Sequence, residues 1–143
     1  MKQDIDLLEN VQKRAVRNIA GLHGAYEDKL KQVGLTTLVE RRQRGDMIQT
    51  FKIMNGIVDV NPRTWFIPAS DRLSQPTRTT THILEDGTPT TTLNLLVPKA
   101  RLDLRKNFFS NRIINSWNSL PVQIQNSTSV NSFKNGYDKY MNS

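Results

Sequence analysis

Five cations crowd one short stretch of this chain. Lys99, Arg101, Arg105, Lys106 and Arg112 fall within residues 99 to 112, where Asp103 is the only acid, so the stretch carries +4 of the formal +7 held by all 143 residues. Such a run is suited to neutralising phosphates, which makes a polyanion the expected partner, RNA or DNA on one hand or an anionic membrane surface on the other, with charge alone unable to choose. No row of Asn or Gln at groove-reading spacing accompanies the cations, so they would position a strand rather than read its bases. Phe108 lies in the same run. It offers a face on which an unpaired base could stack, with packing under the neighbouring Thr-rich segment as the alternative.

Other chemistries lack their parts. The chain has no cysteine and only two histidines, His23 and His82, far apart in sequence, which argues against thiolate zinc sites, imidazole clusters and a Cys nucleophile. Ser110 and Ser119 have no activating base. Asp86 and Lys99 lack a second acid at a usable spacing, and no glycine-rich phosphate loop is present. No catalytic residue, metal or cofactor is therefore expected. No apolar run approaches the length of a membrane span, and the opening MKQDIDLLEN is polar and acidic rather than signal-like. The expectation is an intracellular protein, nuclear or cytoplasmic, with no membrane partner and an oligomeric state that the sequence leaves open.

A second basic cluster is Arg41, Arg42 and Arg44. Glu40 with Arg44 and Arg42 with Asp46 stand four apart and can pair on a helix, which leaves Arg41 as the cation available to a phosphate. Arg44 shares the side of Met47 and Phe51, so its stem is expected to cover the edge of the core. Gly45 in mid-helix costs about 1 kcal/mol relative to Ala, which a close crossing by another element, or else a backbone approach to a ligand, would explain.

These residues need elements to hold them. A length of 143 residues suggests one domain. Ile5, Leu8, Val11, Ala15, Val16 and Ile19 recur at helical steps and predict a first helix, closed by Gly21. Gln12 falls inside that stripe and requires partners, whereas Lys13, Arg14 and Arg17 face away, with Glu9 placed to pair Lys13. Tyr26, Leu30 and Val33 suggest a short helix ended by Gly34. Thr37 and Glu40 form a capping box for a long third helix running to Asn55, with Met47, Ile48, Phe51 and Met54 on one face and Gly56 as the stop. Asn61 and Pro62 open one further turn through Trp65 and Phe66.

Residues 67 to 98 hold four prolines and eight threonines, a composition that resists helix. Two β-prone arms around Asp86-Gly87 suggest a hairpin, against the alternative of an extended linker. Beyond it, a helix capped by Asp103 would place Phe109, Ile113, Trp117 and Leu120 within an arc of about 80° as a core stripe, with Arg105 and Arg112 on its edge. On that reading neither Arg101, Arg105 nor Arg112 is a central core position, so replacing all three by Ala should leave the helical spectrum intact. A last amphipathic helix carries Val130, Phe133, Tyr137 and Tyr140.

The blocks LENVQKRAVRNIAGL, YEDKLKQVGLTTLVERRQRGDMIQTFKIMNG, RLDLRKNFFSNRIINSWNSLP and SFKNGYDKYM, taken in order, resemble the C-terminal region of reverse transcriptases from non-LTR retrotransposons of the jockey and chicken-repeat group. The resemblance spans nearly the whole chain and departs most in the Thr-rich middle. It implies a module that follows the polymerase palm and thumb, and the chain indeed has no Tyr-x-Asp-Asp element to hold polymerase magnesium ions.

The expected fold is therefore mainly α, a small helical bundle over residues 1 to 143 with a β-hairpin or extended Thr/Pro-rich insertion at 67 to 98. Its first, third, Trp117-bearing and last helices would share a core. The expected function is a non-catalytic nucleic-acid-binding tail contacting RNA or DNA through Arg41, Lys99, Arg101, Arg105, Lys106, Phe108 and Arg112, beside the polymerase part of its own polyprotein. The alternative is a helical protein-protein interaction module, a domesticated fragment. Cations dispersed among acids beside an exposed apolar patch would favour that alternative.

Overall fold

The computed structural model describes residues 2–69, 81–83, 89–91, 93–98, 102 and 107–143, and within them the chain is mainly helical. Close contacts group into two units, Met1–Gly45 and Asp46–Ser143.

The first unit holds α1 (Lys2–Arg17), α2 (Tyr26–Gln32) and the start of α3 (Leu38–Met54). Its helix ends follow local chemistry. Gly34 takes φ +67 after α2, and Leu35 N–H bonds back to the Leu30 carbonyl at 2.8 Å, a left-handed closure that favours glycine. Thr37 and Glu40 cap α3 reciprocally, Glu40 N–H to Thr37 Oγ1 at 3.2 Å and Thr37 N–H to Glu40 Oε2 at 2.9 Å. At the far end Gly56 adopts φ +64 and Ile57 N–H reaches the Lys52 carbonyl at 2.9 Å.

α1 departs from its pattern in two ways. It ends at Arg17, unwinding through tighter turns from Asn18 N–H to the Ala15 carbonyl and Ile19 N–H to the Val16 carbonyl, so Gly21 lies in a turn beyond the helix rather than at its cap. The expected stripe is also mostly outside. Of its six members only Val16 is buried, while Leu8 and Val11 are 63% and 67% exposed.

What holds this unit is largely polar. The buried Glu9 carboxylate accepts from the Tyr26 hydroxyl at 2.5 Å and from Leu38 N–H at 3.0 Å, in place of the expected pairing with Lys13. Gln12 donates to the Tyr26 hydroxyl and the Thr36 carbonyl. Lys13 instead sits 5.3 Å over the Tyr26 ring, a cation-π contact. Loss of water around the phenol, then its bond to Glu9, holds the Tyr26 pKa above the ordinary tyrosine range.

The close crossing expected at Gly45 is absent: a Cβ there would meet nothing within 4 Å, and the residue is exposed. Gly45→Ala should therefore raise stability by roughly 0.5–1 kcal/mol through chain entropy and helix propensity alone. A higher urea midpoint at unchanged slope would show it, and a lower midpoint would reveal a hidden constraint.

In the second unit come the rest of α3, α4 (Pro62–Trp65), β1 (Thr81–Ile83), β2 (Pro89–Thr91), α5 (Phe109–Arg112), α6 (Ile114–Asn118), α7 (Val122–Gln125) and α8 (Val130–Met141). Asn61 Oδ1 accepts from Arg63 N–H at 3.0 Å to open α4, with Pro62 at its first position. β1 and β2 pair antiparallel, Thr81 opposite Thr91 and Ile83 opposite Pro89. The Asp86-Gly87 turn expected to join them lies outside the described residues, as does Asp103. The expected helix there appears as α5 and α6 with Ile113 between them.

Phe133 of α8 stacks on Phe51 of α3 at 4.5 Å, with Trp117 and Tyr137 at 6.0 and 6.2 Å on other sides. Met47, Ile53, Phe66, Leu95, Ile113, Ile114 and Leu120 complete this core. All of these core residues belong to the second unit.

Leu95 shows that the Thr/Pro-rich segment is not wholly peripheral. On one edge of the extended chain at 93–96, Asn94 accepts from Ala69 N–H at 2.9 Å and Leu96 donates to the Ile67 carbonyl at 2.8 Å. On the other edge the partners are side chains. Trp117 Nε1–H donates to the Leu93 carbonyl at 2.8 Å, Gln125 Oε1 accepts from Leu93 N–H at 3.1 Å, and the Asn118 amide bonds both backbone groups of Leu95 at 2.8 Å. Alternate residues thus satisfy alternate edges, as in a sheet, with an indole and two amides standing in for a strand.

Candidate nucleic-acid interface

Of the seven residues expected to contact nucleic acid, Arg41, Phe108 and Arg112 are described; Lys99, Arg101, Arg105 and Lys106 lie outside the described residues. Arg41 is in the first unit, at the surface, with its guanidinium donating to Gln12 Oε1. Its remaining donors face a wet surface, where a phosphate can compete.

Arg112 has a different role from the one its spacing suggested. Nε–H and an Nη2–H each donate to the Asp46 carboxylate at 2.9 Å, Nη1 donates to the Asn107 carbonyl at 3.0 Å, and the group lies 5.7 Å from the Phe109 ring centre. The side chains of Arg112 and Asp46 are only 27% and 17% exposed. A fork-to-fork pair at that depth ties α3 to α5 and uses the donors a phosphate would need.

Replacing Arg112 therefore carries a structural cost that its place on the edge of the core stripe did not announce. Arg112→Ala should lower stability by about 2 kcal/mol, because the half-buried Asp46 carboxylate loses both its bonds. Arg112→Lys should recover only part of this, since an ammonium cannot match the two oxygens together. Thermal melts of the three proteins would test the order, and an unchanged Arg112→Ala midpoint would sink it.

Phe108 lies at the surface. It is 54% exposed, with its ring 6.0 Å from that of Trp65 and inclined to it by only 5°. Trp65 is itself 37% exposed. Phe109 meets Trp65 and Phe66 edge-on, at 6.1 and 5.9 Å. Two adjacent-aromatic pairs thus share the same division: Phe66 and Phe109 turn toward the core, while Trp65 and Phe108 stack on each other outside. Beside them opens a cleft of about 380 Å³, with Ile53 and Val60 as apolar walls and Asp46 and Gln49 as polar ones.

Sequence reasoning had missed Trp65 and Gln49. The signal was there in part, because adjacent side chains point well apart in helical and extended backbone alike, so only one ring of Trp65-Phe66 or of Phe108-Phe109 enters a core, with Phe66 and Phe108 the extended residues that flank their short helices.

No group of three or more His, Cys, Asp or Glu among the described residues could hold a metal ion, and no helix among them is long and apolar enough to cross a membrane. No family model matches the chain, and no curated protein or solved structure is significantly similar to it.

Proposed function

We propose that this chain is a non-catalytic nucleic-acid-binding module, similar to the tail of a non-LTR retrotransposon reverse transcriptase and working beside the polymerase part of its own polyprotein. The observation that carries the reading is the concentration of charge: residues 99 to 106 hold +3 of the net +7, apart from Arg112. With Arg112 committed to Asp46, the phosphate-binding set is Lys99, Arg101, Arg105 and Lys106, and Arg41 is a candidate contact of the first unit on its own. The reading also takes 67–98 to contain a β-hairpin turning at Asp86-Gly87, supported by the antiparallel pairing of β1 with β2.

The test is a salt titration of binding to RNA and DNA oligonucleotides. Affinity should fall with a log-log slope of about 0.7 to 0.9 per phosphate contacted. The triple variant Arg101→Ala, Arg105→Ala, Lys106→Ala, which spares the Asp46 pair, should bind unrelated sequences about equally more weakly and flatten the slope.

One observation favours a second reading, a helical protein-interaction module. Leu7, Leu8 and Val11 of α1 are 65%, 63% and 67% exposed, an apolar patch of the kind that marks protein interfaces. Absence of oligonucleotide binding at low salt, or a triple variant that binds like the parent, would reject the first reading in favour of this one.

A further inference from the structure

We propose that the cleft beside Trp65 and Phe108 receives an unpaired base, so that the module prefers single strands to duplex; this deepens the nucleic-acid reading and rests on it. A nucleobase is flat, apolar on its faces and polar along its edge. The cleft offers the matching surfaces: an exposed aromatic pair whose planes differ by 5°, apolar walls from Ile53 and Val60, and a volume of about 380 Å³ in the range of small-ligand pockets. Gln49 is half-buried along the wall, and no hydrogen bond holds its amide among the described residues. An amide presents both a donor and acceptors to a base edge.

The one acid on the wall does not oppose a polyanion, because Arg112 neutralises Asp46 in the two-point pair. Charge favours the same occupant. Phe108 follows Arg105 and Lys106 with only Asn107 between, so a ring stands next to two phosphate-seeking cations in the chain, the combination that single-strand binders use. Bases stacked in a duplex have no free face to give, and an apolar peptide would draw nothing from the net +7. Stacking is tolerant of base identity, consistent with a surface that positions a strand without reading it.

The chain reports its own occupancy. It has two tryptophans, of which Trp117 is fully buried and Trp65 is 37% exposed, so quenching by an added oligonucleotide reads Trp65. The full chain would be titrated at low salt with single-stranded RNA and DNA oligomers, their duplexes, and abasic strands of equal length and charge. Expected are saturable quenching by base-bearing single strands of either sugar and about tenfold tighter binding than to abasic strands. Phe108→Ala should lose that tenfold while binding abasic strands as the parent does, and Phe108→Trp should keep it.

Equal affinity for abasic and base-bearing strands, with salt-dependent binding intact, would overturn the cleft and leave the electrostatic reading standing. No binding of any strand would overturn both. The abasic comparison needs no variant and so decides the matter even if Phe108→Ala does not fold.

Discussion

Trp117→Ala should cost the second unit about 4 kcal/mol, a large share of the 5–15 kcal/mol typical of a whole domain. The indole is fully buried and lies 6.0 Å from the Phe133 ring, while its N–H holds the Leu93 carbonyl at 2.8 Å. Truncation loses the transfer free energy of the largest side chain in the core, opens a cavity that rigid neighbours refill only in part, and frees a carbonyl. Trp117→Phe separates the terms: it keeps a ring against Phe133 but drops the donor, and about 1–2 kcal/mol is expected. Denaturant midpoints of the three proteins would show the order. A Trp117→Ala change below about 1 kcal/mol would mean that this core is not the source of stability.

Gln125→Leu should cost about 1–3 kcal/mol despite placing a more apolar residue in a core position. The side chain is 1% exposed and fully engaged, its Oε1 taking Leu93 N–H at 3.1 Å and its Nε2 donating to the Trp117 carbonyl at 2.9 Å. Leucine would leave the part-buried Leu93 N–H unpaired, at about 1–3 kcal/mol, whereas the Trp117 carbonyl would keep the Leu120 N–H at 3.1 Å. Gln125→Glu should be no better at neutral pH, because the carboxylate cannot donate to Trp117 and carries charge into an apolar setting. Trp117→Phe and Gln125→Leu both act on Leu93, so their combination should fall short of or exceed the sum of the single effects. Strict additivity would show that the two contacts do not form one unit.

Features whose physics is local were legible in the sequence. The Thr37–Glu40 box, the Gly34 and Gly56 closures and the Asn61-Pro62 start each involve residues within a turn of one another, so residue type settles them. The stripe of α1 was legible as a pattern but misread as to burial. Periodicity says which residues share a face, not which face is covered, and here the Glu9, Gln12 and Tyr26 side was chosen because a buried carboxylate must be satisfied.

Distance in sequence hid the rest. Arg112 reads as a spare cation among its neighbours because Asp46 lies 66 positions away. The edge partners of Leu93 and Leu95 are amides and an indole that lie 23 to 32 residues further on, and nothing in the local pattern marks them. Trp65 and Phe108 belong to the same class, since each doublet announces one outward ring but not that the two rings meet.

That reach forward along the chain also sets an order of events during synthesis. Leu93 and Leu95 leave the ribosome well before Trp117, Asn118 and Gln125, so one side of the extended segment has nothing to bind while the intervening residues are translated. The second unit must therefore complete itself late, after α7 has emerged. A nascent chain paused in that interval presents unpaired N–H and C=O groups flanked by leucines, open to capture by a chaperone or by a like segment on a neighbouring polysome.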